Sequence, residues 1–318
     1  MIYVEMLGRT GNQMFSYSFA RWLQLNNKRQ KKEKIAFDFS NSQFNSVDNN
    51  IHELNDYVCN NNIVVAKRKL HPLQRVVLKC FFKGLKNVHS NSEREKYEEK
   101  FQDVLNFFGI YMCSFNFHKF SPSNIFKNNL VLGWYESSEF FDEIDDVISK
   151  DFMLDVKVIS ELSEETKAII SEIEGYEQSV CLNVRRGDFY SDSNIGFCAV
   201  CDKIYYETAA NIISEIIDSP HFFVFSDDIE WARSNLVLPD DTVYIDNSQL
   251  GLVPSTQMHI MTKCRNYIIS NSTYSWWAQH LGTLRNGGGI VIAPSRWRNT
   301  NEKTNEAIYE ENWILIDV

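Results

Sequence analysis

Apolar and polar positions along the 318-residue chain fall into segments with the periods of strands and helices. Residues 2–7 read as a buried strand. The turn Gly8-Arg-Thr-Gly11-Asn-Gln13 follows at once, and then a helix that repeats Phe15, Phe19 and Trp22 at helical spacing. Residues 26–62 are rich in Asn and Lys with few apolar repeats, which predicts loops and short elements. A helix with a basic face is predicted between Lys67 and Lys86, a charged helix over 93–103, and a strand from Leu130 to Glu136. Ser137 or Ser138 is available to cap the helix after that strand. A helix over 157–173 lies at the junction, and the boundary near residue 155 divides the chain into domains 1–155 and 156–318.

Strand and helix then alternate at regular intervals. Val180, Leu182 and Val184 have the period of a pleated strand, and that strand runs into Arg185-Arg-Gly-Asp188. A helix over 204–217 carries Tyr206, Ala210, Ile213 and Ile217 on one face. The strand 221–225 leads into Ser226-Asp-Asp228 and a helix bearing Trp231. A helix over 256–264 leads to the strand 266–270, which ends in Asn271-Ser-Thr-Tyr-Ser275 before a helix beginning at Trp276. Gly287-Gly-Gly289 turns the chain into the strand 290–293, and residues 313–317 predict a last short strand. Such alternation predicts a parallel sheet with helices on both faces.

Composition narrows the class. At 44% hydrophobic and 23% charged the chain is globular, and its length suits two domains, each with its own core. The net charge of −10 is uneven, +1 over residues 1–155 and −11 over the remainder. So acidic a chain argues against a nucleic-acid partner. Seven scattered cysteines, an odd number, suit a reducing compartment; Cys198 and Cys201 form the one close pair, without a second pair at zinc spacing, and read as structural. No basic stretch followed by an apolar run opens the chain, and no apolar run reaches the length of a membrane span, so the expected location is cytoplasmic. Between Lys67 and Lys86 lie seven basic residues and no acid, with Arg75, Lys79, Lys83 and Lys86 on one helical face. That face is either an ordinary solvated one or a peripheral contact with the anionic inner leaflet of a membrane, near lipid-linked glycan acceptors.

The candidate chemistry gathers at strand ends. Arg185 and Arg186 place two guanidiniums where open α/β sheets bind ligands, and a guanidinium fork can hold a phosphate through two hydrogen bonds. The alternative is a loop whose arginines pair with nearby acids. Ser272, Thr273 and Ser275 stand at a helix N-terminus, which suits an anion. Asp227 and Asp228 supply carboxylates that only accept hydrogen bonds, as a guanine edge or ribose hydroxyls require. Arg9, Asn12 and Gln13 offer polar contacts at the first turn, which reads equally as a tight turn with exposed polar residues. Together these groups describe a nucleoside-diphosphate site. The sequence has no Asp-x-Asp pair to hold a divalent ion, so the arginines would neutralise a leaving diphosphate themselves.

Six blocks in order carry a family resemblance: Gly8-Arg-Thr-Gly-Asn-Gln-Met-Phe15, Gly133-Trp-Tyr-Glu-Ser-Ser-Glu-Phe-Phe141, Asn183-Val-Arg-Arg-Gly-Asp-Phe189, Phe222-Phe-Val-Phe-Ser-Asp-Asp-Ile-Glu-Trp231, Ser270-Asn-Ser-Thr-Tyr-Ser-Trp-Trp-Ala278 and Val291-Ile-Ala-Pro-Ser-Arg-Trp297. They resemble the bacterial α-1,2-fucosyltransferases of glycosyltransferase family 11. The resemblance runs through most of the chain, with residues 26–120 the least matched; the Gly-Arg-x-Gly-Asn-Gln and Arg-Arg blocks are also similar to those of protein O-fucosyltransferases. It implies an α/β fold of GT-B type, two facing Rossmann-like domains with parallel sheets, the first on the acceptor side and the second binding the donor. It implies inverting transfer of L-fucose from GDP-β-L-fucose to the 2-hydroxyl of a galactose in an oligosaccharide acceptor, without a metal or other cofactor. By that analogy Arg185 binds the diphosphate and Arg186 supports it or orders the loop. Asp227 or Asp228 reads the guanosine, Ser272, Thr273 and Ser275 cradle phosphate, and Arg9 and Asn12 reach sugar and diphosphate. Asn183 stands where the family motif commonly has histidine; it can bond a base edge but cannot titrate. Asp188 is the candidate general base, with Glu136 and Glu5 behind it, and a structural role, pairing with Arg186 or capping the loop, is its alternative. Another GDP-sugar transferase of the same fold, or an inactive glycan-binding relative, is the competing function.

Overall fold

In the computed structural model, which describes residues 1–40, 51–114, 117–122, 124–300 and 306–318, every strand pairing is parallel. The chain divides into two units, Met1–Phe152 with Glu302–Tyr309, and Met153–Asn301 with Glu310–Val318.

The first unit carries β1 (Ile2–Glu5), β2 (Ile35–Asp38), β3 (Ile63–Val65), β4 (Ile110–Cys113) and β5 (Asn129–Gly133) in the order β3-β2-β1-β5-β4. The chain steps outward from β1 to β3, then returns on the other side, so β1 lies where the strand order reverses. Three helices matter here: α1 (Thr10–Asn26), α2 (Pro72–Leu85) and α3 (Asn91–Phe107). Met14, Phe15 and Phe19 of α1 are buried, and Trp22 stacks on Phe19 at 5.6 Å. The stretch expected as loops and short elements contains β2, buried at all four residues and paired with strands on both sides. β4 has no counterpart among the sequence expectations, because four residues are too few to show a period. The strand expected through Glu136 ends at Gly133, where Tyr135 at φ 54 turns the chain.

The second unit carries β6 (Ser179–Val184), β7 (His221–Ser226), β8 (Val243–Ile245), β9 (Asn266–Ile268), β10 (Val291–Pro294) and β11 (Ile314–Ile316) in the order β11-β10-β9-β6-β7-β8. Every residue of β6 and β7 is buried, as in a parallel sheet covered on both faces. Helix Lys203–Ile216 lays Tyr206, Ala210 and Ile213 against Val180, Leu182, Val184, Phe222 and Val224. The single helix expected over 157–173 is two, Val156–Ser160 and Glu164–Gly175, because the Ser163 hydroxyl accepts from the Thr166 N–H and starts a new helix. Strand order reverses between β6 and β9. That crevice is where ligands bind in open α/β sheets, and the Arg185-Arg186 and Ser270–Ser275 segments leave its two sides. Both units therefore have the parallel α/β architecture from which GT-B proteins are built.

Candidate active site

The parallel register Val184↔Ser226 brings the residues after β6 beside those after β7. Arg185 consequently meets two carboxylates. Its Nη1 lies 2.9 Å from Asp227 Oδ2, and its Nη2 donates to Asp188 Oδ1 at 2.5 Å. Its backbone N–H donates to the hydroxyl of buried Tyr206 at 3.3 Å, and burial pushes that phenol well above its ordinary pKa, so it stays protonated. The Arg185 Nε is buried and has no hydrogen-bond partner. A buried donor without a partner is costly.

Arg186 is placed differently. Its guanidinium carbon lies 3.9 Å from the ring centre of Tyr190 and 3.8 Å from that of Trp231, a cation between two aromatic faces. Asp228 Oδ2 is 3.8 Å from its Nε, which makes no hydrogen bond. Its backbone N–H donates to Asp227 Oδ1 at 2.8 Å. Asp227 thus holds both consecutive arginines, one by its side chain and one by its backbone. Gly187 leaves the room for this, since a Cβ there would come within 2.5 Å of Asp227 Oδ2. Asp228 Oδ1 accepts from the Trp231 N–H at 3.2 Å, capping helix Ile229–Asn235. Asp188 is the most open carboxylate of the three, its side chain 61% exposed.

On the β9 side, Ser272 caps helix Thr273–Asn286 by accepting from the Tyr274 N–H at 3.3 Å. Ser275 is fully buried and its hydroxyl donates back to the carbonyls of Ser270 and Ser272. It shapes the helix start from inside, whereas Thr273 is half-buried at the helix's first residue. Asn183 is buried on β6, accepting from the Ser270 hydroxyl at 3.4 Å and donating to Phe225 O at 3.5 Å, so it ties β6 to both neighbouring segments. Sequence reasoning did not single out Asn271. This buried side chain donates to the carbonyls of Cys198 and Trp297 at 2.9 and 3.0 Å, anchoring the segments that flank the strand end.

In the first unit, Gly8 at φ 67 makes the turn before α1, and a Cβ there would collide with Asn12. Glu53, which was also not foreseen, covers the N-terminus of α1. It accepts from the Thr10 N–H at 2.6 Å, bonds the Thr10 hydroxyl and pairs with Arg9. A carboxylate suits that position, where the first helical N–H groups have no helical partner. Gln13 is buried, donating to Ile51 O at 2.8 Å and accepting from the Glu53 N–H at 3.0 Å. Glu5, a reserve base candidate, pairs with Arg68 at 2.8 Å, and Arg68 also pairs with Asp38 on the adjacent strand. Burial alone would raise the Asp38 pKa, but hydrogen bonds from Ser40 and Arg68 outweigh it and hold this carboxyl below the usual range. Glu136, the other reserve, is buried after β5. A cleft of about 250 Å³ lined by Phe19, Trp22, Phe117 and Glu143 lies on the flank of α1 and includes none of the candidate residues.

The O-antigen biosynthesis glycosyltransferase WbnK of Escherichia coli is 26% identical to this chain over 98% of its length and 99% of the relative's. An alpha-1,2-colitosyltransferase of Escherichia coli is 31% identical over 46% of this chain and 51% of that protein. The galactoside 2-alpha-L-fucosyltransferase Sec1 of Mus musculus is 26% identical over 58% of this chain and 50% of its own. Among solved structures, NodZ alpha-1,6-fucosyltransferase soaked with GDP-fucose aligns over 88% of this chain and 92% of its own, at 10% identity and a TM-score of 0.47. The profile of glycosyl transferase family 11 matches residues 1–317, and the chain belongs to that family.

Proposed function

We propose that this family 11 glycosyltransferase transfers L-fucose from GDP-β-L-fucose to the 2-hydroxyl of a terminal galactose, with inversion and without a divalent cation, in the synthesis of a surface polysaccharide or other glycan. One observation carries the reading: Arg185, with a buried unpartnered Nε, stands at the strand-order reversal of the second sheet. In this reading its guanidinium holds the diphosphate and offsets the charge that develops as the sugar leaves. The proposed linkage and acceptor are supported by the similarity to relatives named for galactoside 2-alpha-L-fucosyl transfer.

The bonds of the site refine the roles. Both oxygens of Asp227 are engaged with the arginine pair, so Asp227 is a positioning residue, and guanosine recognition falls to Asp228, whose side chain is 47% exposed. Arg186 orders the loop through its aromatic stack. Ser272 and Thr273 present the helix start to phosphate, while Ser275, Asn183 and Gln13 act from within as positioning residues. Arg9 and Asn12 are assigned to the donor sugar and diphosphate. Asp188 remains the base candidate. Because it shares the Arg185 guanidinium, diphosphate binding there and release of Asp188 to take the acceptor proton are coupled.

The test offers GDP-fucose with a panel of β-galactosides and reads the product linkage by NMR. Transfer to the 2-hydroxyl, retained in EDTA and lost by orders of magnitude in a folded Arg185→Ala variant, is the expected result. Full loss in EDTA restored by Mn²⁺ would contradict metal independence, and near-normal turnover in Arg185→Ala would remove the central role. The colitosyltransferase relative makes GDP-colitose the donor to run in parallel; preference for it would move the reading to a different sugar on the same site.

A further inference from the structure

Helix α2 presents two chemically different faces. Gln74, Leu78 and Phe81 are buried, and Leu78 and Phe81 pack among Tyr3, Ala36, Leu105, Ile110 and Leu130 of the first unit's core. The face turned away carries Arg75, Lys79, Lys83 and Lys86, all exposed, in a segment without an acid from Lys67 to Lys86. Arg68 is the exception within that segment, since it turns inward to Glu5 and Asp38. None of the four outward cations pairs with a carboxylate among the described residues. Large apolar side chains lie among them: Leu73 is 53% exposed, Val76 58% and Phe82 41%. The Gln74 amide, on the buried face, donates to Phe108 O at 2.7 Å and fixes the first turn of α2 against the residue after α3.

We infer that this face of α2 docks on a bilayer surface containing anionic lipid. Unpaired cations alone would suit any polyanion. Leucine, valine and phenylalanine exposed between them gain nothing from a phosphate backbone, but they lose unfavourable contact with water at a headgroup boundary. The remainder of the chain is acidic, with net charge −10 overall, and is repelled by such a surface. Approach is therefore oriented, with α2 leading. Each cation held near anionic headgroups strengthens binding roughly fivefold, and the attraction falls with added salt. The docking does not depend on which sugar or acceptor the enzyme uses.

Flotation of the full chain with phosphatidylglycerol-containing vesicles, against pure phosphatidylcholine, tests this. Binding to the anionic vesicles at low salt that fades at high salt is expected. The double variant Lys79→Glu/Lys83→Glu should lose it by more than an order of magnitude, and Val76→Ser/Phe82→Ser should weaken it severalfold at equal charge. Lys167→Glu, on an exposed helix of the second unit, should bind as the parent does. Absence of binding, equal binding to neutral vesicles, or equal loss in Lys167→Glu each overturns the proposal. Tighter binding to a DNA duplex than to vesicles at the same salt would also overturn it, pointing to a nucleic-acid surface. The salt series on the parent protein decides the matter even if a variant folds poorly.

Discussion

Asp227 and Arg185 are joined at 2.9 Å across the ends of two adjacent parallel strands, and the same carboxylate accepts the backbone N–H of Arg186 at 2.8 Å. This relationship fixes the direction of the guanidinium at the strand-order reversal. If Asp227 acts by positioning Arg185, its loss should matter only while Arg185 is present. Asp227→Asn should weaken GDP binding about tenfold in the parent and hardly at all in an Arg185→Ala background. Inorganic pyrophosphate, which has no base, should weaken by the same factor as GDP. Calorimetric titration of both ligands checks this; a loss confined to GDP would return Asp227 to base recognition. A parent that bound neither ligand would instead remove the donor site itself.

Gly187 is the space that arrangement needs. Gly187→Ala places a methyl within 2.5 Å of Asp227 Oδ2, whereas Gly196→Ala, at a position where an added Cβ meets nothing within 4 Å, is the matched control. The first substitution should displace Asp227 and weaken GDP about tenfold or more, a penalty of roughly 1–3 kcal/mol for overpacking. The second should leave binding unchanged. Titration of the two variants side by side distinguishes the close approach from a general effect of replacing a nearby glycine.

The two neighbouring arginines should separate in stability as well. Arg186 lies between Tyr190 and Trp231, so Arg186→Ala removes a stacked, largely buried guanidinium and should cost about 2 kcal/mol. Arg185→Ala releases Asp188 and Asp227, both still reached by water, and should stay within about 1 kcal/mol of the parent. Urea midpoints measure the contrast. A larger loss in Arg185→Ala than in Arg186→Ala would reverse the division of labour.

Much of this site is legible in the sequence because it follows from period and punctuation. The alternation of Val180, Leu182 and Val184 gives β6, and the apolar runs before Ser226 and Ser270 give β7 and β9, so their ends carry the arginines, carboxylates and hydroxyls. What stays hidden depends on pairing between distant segments. Glu53 reaches Thr10 from 43 positions away, and Asn271 reaches Cys198 from 73. Neither bond leaves a repeat in the chain. Ser275 shows a different limit: its residue type suits a phosphate, but its place in the first turn points the hydroxyl at Ser270 and Ser272.

Asn271 is the anchor on the β9 side of the crevice. Asn271→Ala strands the buried carbonyl of Trp297 and leaves that of Cys198 with the Val200 N–H alone, and an abandoned acceptor costs about 1–3 kcal/mol. A destabilisation of roughly 1–3 kcal/mol is expected, with Asn271→Asp also poor because a carboxylate cannot donate to either carbonyl. Chemical denaturation reads both, and a change below about 0.5 kcal/mol would show that the two carbonyls find other donors.

His259 gives the second unit a dependence on acidity unrelated to the site. Burial, then the nearby charges of Lys263 and Arg285, lower its pKa from 6.5 to about 4. Above pH 6.5 the imidazole is neutral in folded and unfolded chains, so it adds no pH dependence. As pH falls from 6.5 towards 4 the unfolded chain takes a proton that the folded chain refuses, and stability drops along that interval. The loss at pH 5 should be roughly 1–2 kcal/mol. His259→Gln removes the titration, so the difference between its urea midpoints at pH 7 and pH 5 should be smaller than the parent's. Equal differences in the two proteins would mean that the folded imidazole accepts its proton near the ordinary pKa.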